Sequence, residues 1–236
     1  LSLMIMIADT MYCSTKNSKD KMQLSLIAAL SFALSPLIII WSRTAVSDSL
    51  LCASLGASLL SFWRKFSSEE DSICIIPWIL LSIAILTKGP VALVITLTTI
   101  FTYSLTYRNW QKLFLKIHLF KGLLLTFFIS SPWYFIQLFY NGKVFLDSFF
   151  GYHNLQRYTS VVNNHSEPWW FYIFIMILAS LPFSVFLLHG VVDTFRGLIV
   201  KNKISLESTH SIYIFSLCWL ISVFLFFSIS ATKLPS

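Results

Sequence analysis

Long apolar runs separated by short polar segments cover most of the chain. A helix crosses the hydrocarbon core of a membrane in about 20 residues, because each residue adds about 1.5 Å of length. The pattern therefore predicts an all-α fold, a bundle of membrane-spanning helices. The predicted spans are the end of one helix near Ala8, then residues 24–41, 49–63, 73–86, 91–107, 123–140, 169–188 and 212–230.

One apolar stretch, residues 73–107, is too long for a single span and slightly short for two. Lys88, Gly89 and Pro90 interrupt its middle. Proline lacks the backbone N–H that a helix uses, and it disfavours helical conformation at the residue before it. We therefore predict a tight turn here, between two helices.

The distribution of the 17 Lys and Arg residues supports this turn. With two spans, twelve cations fall on one side of the membrane and five on the other, whereas one span gives eight and nine. Cytoplasmic loops carry the excess of Lys and Arg, so we expect the side with twelve to be cytoplasmic. The five outer cations are Arg43, Lys88, Lys143, Arg157 and Lys233.

Composition agrees with a membrane protein. The 236-residue chain is 56% hydrophobic and 11% charged, whereas a soluble domain has about a quarter of its residues charged. Cytoplasmic lysines explain the net charge of +7, so no nucleic-acid partner is expected. The four cysteines are scattered without CxxC spacing, which favours neither a disulfide framework nor a zinc site. Both ends of the sequence adjoin apolar runs, and we expect a fragment of a longer membrane protein.

The longest segment without a predicted span, residues 141–168, is expected to be a large outer loop with short interfacial helices. It contains His153, Asn154 and Arg157, and on a helix His153 and Arg157 share a face. The guanidinium group of Arg matches phosphate oxygens. The same spacing also fits a polar helix on the membrane surface, so both interpretations stay open.

Three further polar residues of this segment have less specific assignments. Asp147 is predicted to cap the N-terminus of the helix that follows it. His165 and Glu167 are of types that bind metals, but two ligands without a third do not define a metal site. Neither a metal nor another cofactor is expected.

Four charged residues near the outer face have two interpretations each. Lys88 is either a lysine that extends to the membrane surface or a compact charge for the phosphate of a lipid carrier. Arg43 and Asp48 either pair locally at two helix ends, or Asp48 faces a cavity and orients a cationic or hydroxylated group. Lys233 is either a membrane-edge lysine or a third positive group, beside Lys88 and Arg157, around one anion.

Five motifs occur in order along the chain: SRTAVSDSLL, LTKGPVALVI, SPWYF, the long segment FFGYHNLQRY–NNHSEPWWFY, and FSISATKLP. Together they resemble the polyprenyl-phosphate-sugar-dependent glycosyltransferases related to bacterial aminoarabinose transferase and protein O-mannosyltransferase. The resemblance implies a GT-C fold, a bundle of membrane helices with its active site on the periplasmic or luminal face. It also implies transfer of a sugar, with inversion, from a polyprenyl-phosphate donor to an acceptor lipid such as lipid A, a protein or a cell-envelope glycan.

The resemblance implies roles for individual residues as well. The donor phosphate and the substrates are expected to contact the polar residues of these motifs: Lys88 of TKGP, Arg43 and Asp48 of SRTAVSD, His153, Asn154 and Arg157 of the outer loop, and Lys233 of KLP. The acidic motif that supplies the family's general base has no counterpart here. It should lie before Leu1, so the chain alone is expected to be inactive.

Two other classes of protein fit part of the pattern. A lipid-linked sugar flippase or another anion transporter would also gather cations into a cavity, and a structural membrane subunit would need no site. Transporters often contain internal repeats; no convincing repeat is found here, and the polar groups lie on one face. The pattern therefore favours a membrane glycosyltransferase, expected in the bacterial inner membrane with its active face periplasmic. Its expected partners are membrane lipids, the lipid-linked sugar donor and the acceptor.

Overall fold

The structure, a computed structural model, describes residues 1–15, 20–44, 47–68, 74–107, 110–160, 167–200 and 209–233. All regular elements in these ranges are helices, so the predicted all-α fold is confirmed. In chain order they are α1 (Ser2–Ser14), α2 (Lys21–Ala33), α3 (Pro36–Arg43), α4 (Ser47–Ser67), α5 (Ile76–Lys88), α6 (Val91–Tyr107), α7 (Trp110–Lys116), α8 (Leu119–Phe145), a π-helix (Leu146–Gln156), α9 (Arg157–Thr159), α10 (Phe171–Ala179), α11 (Ser184–Val200) and α12 (Thr209–Ile229).

Several of these helices have the length and composition of membrane spans. Leu119–Phe149 and Ser211–Ile229 are each long and apolar enough to cross a bilayer. The bent pairs α2–α3 and α10–α11 qualify when each pair is taken as one span, which gives up to four spans in the described part of the chain. The shorter apolar helices α1, α5 and α6 pack beside α2, α8 and α12, respectively. These properties are those of an integral membrane protein.

Two of the predicted spans are not continuous helices, so the prediction is wrong for them. Residues 24–41 divide into α2 and α3, which are bent by 59°, and Pro36 begins α3. Residues 169–188 divide into α10 and α11, which are bent by 118°, with Pro182 in the connection. Proline cannot donate the hydrogen bond that continues a helix, and its ring clashes with the preceding turn. Both helices therefore end shortly before a proline although the apolar run continues.

The first helix extends beyond its predicted end near Ala8. α1 continues to Ser14 through the polar residues Asp9 and Thr10. Arg64 of α4 forms an ion pair with Asp9 at 2.6 Å, and its Nε donates to Oγ1 of Thr10 at 2.9 Å. Because these polar side chains have a partner on a neighbouring helix, they are accommodated inside α1 rather than terminating it.

The predicted turn at Lys88 is confirmed. α5 ends at Lys88 and α6 begins at Val91. Gly89 lies between them with a φ of 84°, a conformation that residues with a side chain rarely adopt. Its N–H donates to the carbonyl oxygen of Ile85 at 2.7 Å, which closes the last turn of α5.

Contacts along α4 define two ends of the bundle. Lys88 pairs with Asp48 at the start of α4. The ring of Tyr103, late in α6, stacks on Phe66 near the end of α4, with centroids 5.7 Å apart. α6 therefore runs parallel to α4 and back along α5. We call the two ends of the bundle the Asp48 end and the Arg64 end.

Three described cations lie at the two ends of the bundle. Arg64 and Lys116 lie at the Arg64 end, where Nζ of Lys116 donates to the carbonyl oxygen of Phe66 at 2.9 Å. Lys88 lies at the opposite end, beside Asp48. These three cations therefore lie at opposite ends of the bundle, and the predicted sides of the membrane stay a prediction.

The core joins α4, α5, α6 and α12, and Trp78 lies within it. The Trp78 side chain is fully buried, packs edge-on against Phe62 with centroids 4.9 Å apart, and donates from Nε1 to the carbonyl oxygen of Ile117 at 3.0 Å. Gly122 of α8 lies so close to the indole that a β-carbon there would overlap it. α8 packs on Trp78 because residue 122 has no side chain.

Candidate functional site

A cavity of about 590 Å³ lies at the Asp48 end of the bundle. Helices α1, α3, α4, α10 and α12 supply most of its wall, which is largely apolar and aromatic. Lys88 and Asp48 also line it, together with Ser230 and Thr232 after α12 and Tyr158 in α9. The cavity is therefore amphipathic, and its charged groups come from the end of α5 and the start of α4.

An ion pair between Lys88 and Asp48 connects α5 to α4 at the cavity wall. Nζ of Lys88 contacts Oδ1 of Asp48, and the two side chains keep 36% and 24% of their surface exposed, so a ligand in the cavity can reach both charges. Asp48 is in the first turn of α4, and Lys88 is in the last turn of α5. A helix dipole favours a negative charge at its N-terminus and a positive charge at its C-terminus, so each residue also stabilises its own helix end.

The partner of Asp48 is on the adjacent helix α5 rather than on the neighbouring turn. Arg43 ends α3 with an exposed side chain, and the cavity wall does not include it. The structure therefore places Asp48 at a cavity, in a pair with Lys88, and not in a local pair with Arg43. The predicted contact of Arg43 with a substrate stays a prediction.

The wall of the cavity includes the place where the segment after α12 meets α9. The N–H of Ala231 donates to the carbonyl oxygen of Tyr158 at 2.9 Å, and Oγ1 of Thr232 donates to the carbonyl oxygen of Ser160 at 2.8 Å. We call these two hydrogen bonds the α9–α12 clip. The ring of Tyr158 also lies 5.2 Å from that of Phe226 in α12. The end of α12 and the turn that carries Tyr158 are thus held together by backbone and side-chain contacts.

Sequence reasoning missed the neutral residues of this wall. It selected charged groups, whereas Tyr158 and Thr232 have common hydroxyl side chains. The available signal was position, because Tyr158 follows Arg157 and Thr232 precedes Lys233 in motifs that had been singled out for their charges.

Lys233 is buried, with 8% of its surface exposed. Its Nζ donates to the carbonyl oxygen of Ser230 at 3.1 Å, so it binds one of the carbonyl groups that a helix C-terminus leaves without an intrahelical partner. Ser230 lines the cavity and Lys233 does not. The ammonium group therefore lies beside the cavity rather than in its wall, and its predicted contact with an anion stays a prediction.

The segment predicted as a large outer loop is helical over much of its length. α8 is kinked at Gly142, whose φ of 52° is not helical, and beyond this kink it continues to Phe145. The π-helix and α9 follow it. His153 and Asn154 lie in the π-helix, and Arg157 begins α9. The side chains of these three residues lie outside what the structure describes. Their backbone is helical, as the shared-face interpretation requires, and their roles stay predictions.

The N-cap prediction for Asp147 is wrong. The helical backbone is continuous from Phe145 into the π-helix at Leu146, so Asp147 lies inside a helical run rather than before one. Glu167 is exposed ahead of α10, and His165 lies outside the described residues.

A second cavity, of about 510 Å³, adjoins the first. The two share five wall residues: Leu37, Ile38, Tyr172, Ile175 and Phe227. The remainder of the second wall comes mainly from α10 and α12 and is largely apolar. The two cavities together form an amphipathic space that is charged near Lys88 and apolar beyond Tyr172.

The helix bundle and this space define a membrane protein with the GT-C fold. The crystal structure of ArnT from Cupriavidus metallidurans bound to undecaprenyl phosphate matches 99% of the chain and 41% of its own chain, with a TM-score of 0.79 and 22% sequence identity. The apo structure of the same protein gives a TM-score of 0.77 at 20% identity. The predicted fold is therefore confirmed.

The family described as dolichyl-phosphate-mannose-protein mannosyltransferase matches residues 1–146. Since this match covers more than half of the chain, the protein belongs to that family, and the resemblance inferred from the motifs is confirmed.

Two relatives are undecaprenyl phosphate-alpha-4-amino-4-deoxy-L-arabinose arabinosyl transferases. The protein from Wigglesworthia glossinidia brevipalpis is 32% identical over 97% of this chain. The protein from Erwinia tasmaniensis is 29% identical over 90% of it. The matched regions span 40% and 37% of those relatives, respectively, so this chain corresponds to about two fifths of their length.

Proposed function

We propose that the protein is a membrane glycosyltransferase that moves a sugar from a polyprenyl-phosphate carrier to an acceptor in the cell envelope. The observation that carries this proposal is the Lys88–Asp48 pair at the charged end of a largely apolar cavity. A polyprenyl-phosphate sugar has the same division, with a charged and hydroxylated head group and a long apolar tail. The names of the relatives support undecaprenyl phosphate as the carrier.

In this proposal Lys88 neutralises the donor phosphate. Sugar transfer breaks the bond between the anomeric carbon and a phosphate oxygen, so negative charge grows on the phosphate as it leaves. A preorganised ammonium group in a site that excludes water stabilises that charge in the transition state. Arg157 adds a planar group of donors that fits two phosphate oxygens, and Lys233 adds positive charge beside the cavity.

The remaining polar residues orient the substrates. His153 and Asn154 donate hydrogen bonds to the donor head group, while Arg43 and Asp48 contact polar groups of the substrates near the start of α4. The acceptor hydroxyl attacks the anomeric carbon on the side opposite the phosphate, which inverts the configuration. Its proton passes to a carboxylate acting as general base.

We assign the Asp48 end of the bundle to the periplasmic face of a bacterial inner membrane. The positions of Arg64 and Lys116 at the other end support this orientation, because cytoplasmic segments carry the excess of cations. The acceptor is a lipid such as lipid A, a protein or a cell-envelope glycan.

The experiment uses the full-length protein that contains this chain, in membrane vesicles, with a panel of radiolabelled polyprenyl-phosphate sugars. Wild-type protein should move label from the carrier to an acceptor, and Lys88→Ala should abolish this transfer while inserting normally into the membrane. Lys143→Ala is the matched control, because Lys143 is an exposed cation outside the cavity wall. It should transfer label at the wild-type rate.

Normal turnover in Lys88→Ala would overturn the assignment of Lys88. If the label crosses the bilayer while still attached to its lipid, the protein is a flippase and not a transferase.

A further inference from the structure

We propose that the α9–α12 clip holds the turn that carries Arg157 in its place at the cavity, with Thr232 as the positioning residue. This inference rests on the proposed function, since the property at stake is the binding of a lipid-linked phosphate. Thr232 is argued to act through the backbone of α9 and not to touch the phosphate itself.

The clip binds the carbonyl end of the helical run that ends with α9. α9 comprises the residues Arg157–Thr159 and forms the last turn of a helical run that continues from the π-helix. The carbonyl groups of a last helical turn have no partner within the helix. Its neighbour Ser160 donates from both its N–H and its Oγ to the carbonyl oxygen of Gln156, at 2.8 and 2.9 Å. The carbonyl groups of Tyr158 and Ser160 are bound from outside, by Ala231 and Thr232. The turn is therefore closed on itself and attached to α12.

The hydroxyl group of Thr232 makes one of the two hydrogen bonds of the clip. Thr232 is 7% exposed and Ser160 is exposed, so a replacement without a hydroxyl group removes this attachment of Ser160 to the segment after α12. The turn then gains freedom to move away from the cavity wall.

α12, which leads to the other half of the clip, is held by hydrogen bonds at its far end. At the start of α12, Oγ of Ser211 accepts a hydrogen bond from Nε1 of Trp63 at 3.3 Å and lies 2.7 Å from the hydroxyl group of Tyr103. Ser211 itself is fully buried. α12 thus runs from a buried hydrogen-bond cluster at the Arg64 end to the clip at the Asp48 end. Sites supported by rigid helices are held more accurately than sites on loops.

These contacts determine where the backbone of Arg157 lies. Arg157 precedes Tyr158 in the same helical turn, and the carbonyl oxygen of Tyr158 is one of the two groups that the clip binds. A displacement of about 1 Å at a group that binds a reacting substrate reduces rates by about a hundredfold in enzymes. The clip is therefore placed to control how well a phosphate is recognised without contributing a charge.

The test measures the affinity of the full-length protein in nanodiscs for undecaprenyl phosphate and for uncharged undecaprenol, whose tails are identical. Thr232→Val keeps the shape of the side chain and removes its hydroxyl group. We expect it to weaken binding of undecaprenyl phosphate about tenfold, the change that corresponds to about 1.4 kcal/mol, and to leave binding of undecaprenol unchanged. Thr232→Ser keeps the donor and should restore wild-type affinity.

A double-mutant cycle with Arg157→Ala separates positioning from general stability. If Thr232 acts through Arg157, the Thr232→Val/Arg157→Ala double variant binds undecaprenyl phosphate no more weakly than Arg157→Ala alone. Ser211→Ala, which breaks the buried cluster at the other end of α12, is the control for stability. It should lower the melting temperature and leave the preference for phosphate over undecaprenol intact. Thr232→Ala removes the same hydroxyl group with a smaller side chain and replaces Thr232→Val if that variant does not fold.

If the two substitutions weaken binding of undecaprenyl phosphate additively, or if Thr232→Val weakens binding of both lipids equally, the proposed role of the clip is wrong. The proposed function is not affected by either result. A wild-type protein with no preference for undecaprenyl phosphate over undecaprenol would overturn the phosphate site of the proposed function, and the role of the clip with it.

Discussion

Asp48 and Lys88 neutralise each other across the interface of α4 and α5, at the wall of the larger cavity. An anion that binds Lys88 must therefore share its ammonium group with a carboxylate that is already in contact with it. Two negative charges around one ammonium group repel each other, and salt and exposure to solvent weaken that repulsion. In the proposed function, Asp48 would compete with the donor phosphate for Lys88 as well as orient Lys88.

Replacing Asp48 by Asn should strengthen the binding of undecaprenyl phosphate about fivefold, which corresponds to about 1 kcal/mol of relieved repulsion. The effect should shrink as salt is raised, because these side chains are partly exposed. Titration of the protein in nanodiscs at low and high salt measures it. Asp9→Asn is the matched control, since it removes the partner of Arg64 at the opposite end of α4, and should leave the affinity unchanged. Weaker binding in Asp48→Asn would mean that the carboxylate serves mainly to hold Lys88 in position.

Cys52 reports on occupation of the larger cavity, because its exposed side chain lines the cavity wall. A small maleimide should label Cys52 in the folded protein, and undecaprenyl phosphate should slow that labelling severalfold by covering the thiol. Peptide mass spectrometry measures the two rates. Cys13 is also exposed but lies outside the cavity wall, so its labelling should not depend on the lipid. Equal protection of both cysteines, or of neither, would contradict binding at this cavity.

Cys74, which precedes α5, should respond to pH. Burial raises the pKa of its thiol to about 11, and the positive charge of Lys65 offsets part of that rise. The thiolate is the reactive form, and a raised pKa leaves little thiolate near neutral pH. Labelling of Cys74 should therefore be slow at pH 7 and should accelerate as the pH increases towards about 11. Rapid labelling at neutral pH in the folded protein would show that the thiol is more accessible than its position implies.

Gly122→Ala should destabilise the protein by about 1–3 kcal/mol, the range for forcing an extra methyl group into a packed core. The new β-carbon overlaps the indole of Trp78, so α8 or the ring must move. Thermal unfolding in detergent measures the change. A β-carbon at Gly190 in α11 would meet no atom within 4 Å, so Gly190→Ala should leave stability unchanged or raise it slightly. Identical melting curves for the two variants would mean that α8 shifts freely on Trp78.

Helix ends were predictable where a glycine and a proline interrupt an apolar run. Gly89 and Pro90 mark the turn after α5, and the predicted span 91–107 coincides with α6. Other prolines were ambiguous, because Pro132 lies inside α8, whereas Pro36 begins α3 and Pro182 follows α10. A proline is tolerated within a membrane helix when neighbouring groups satisfy the carbonyl that it leaves free. That condition depends on tertiary contacts, which a hydropathy pattern does not contain.

Part of the candidate site was predictable for a similar reason. Charges are rare in an apolar chain, so Lys88 and Asp48 stood out individually, but their pairing joins two helices and follows from packing rather than spacing. The contributions of Tyr158 and Thr232 are a backbone carbonyl group and a hydroxyl group. Such groups occur throughout the sequence, and the packing of the end of α12 against α9 is what identifies their partners.

The short length of α10 sets how deep the second cavity reaches. Its nine residues rise about 13 Å, less than half of the roughly 30 Å of hydrocarbon in a bilayer. Tyr172, near its start, lines both cavities, while Ala179 and Ser180, at its end, line the second one. Wall residues of the second cavity therefore occur along nearly the whole of α10. In the proposed function, a chain of isoprene units would lie against α10 in this cavity, and the membrane would accommodate its length beyond the protein.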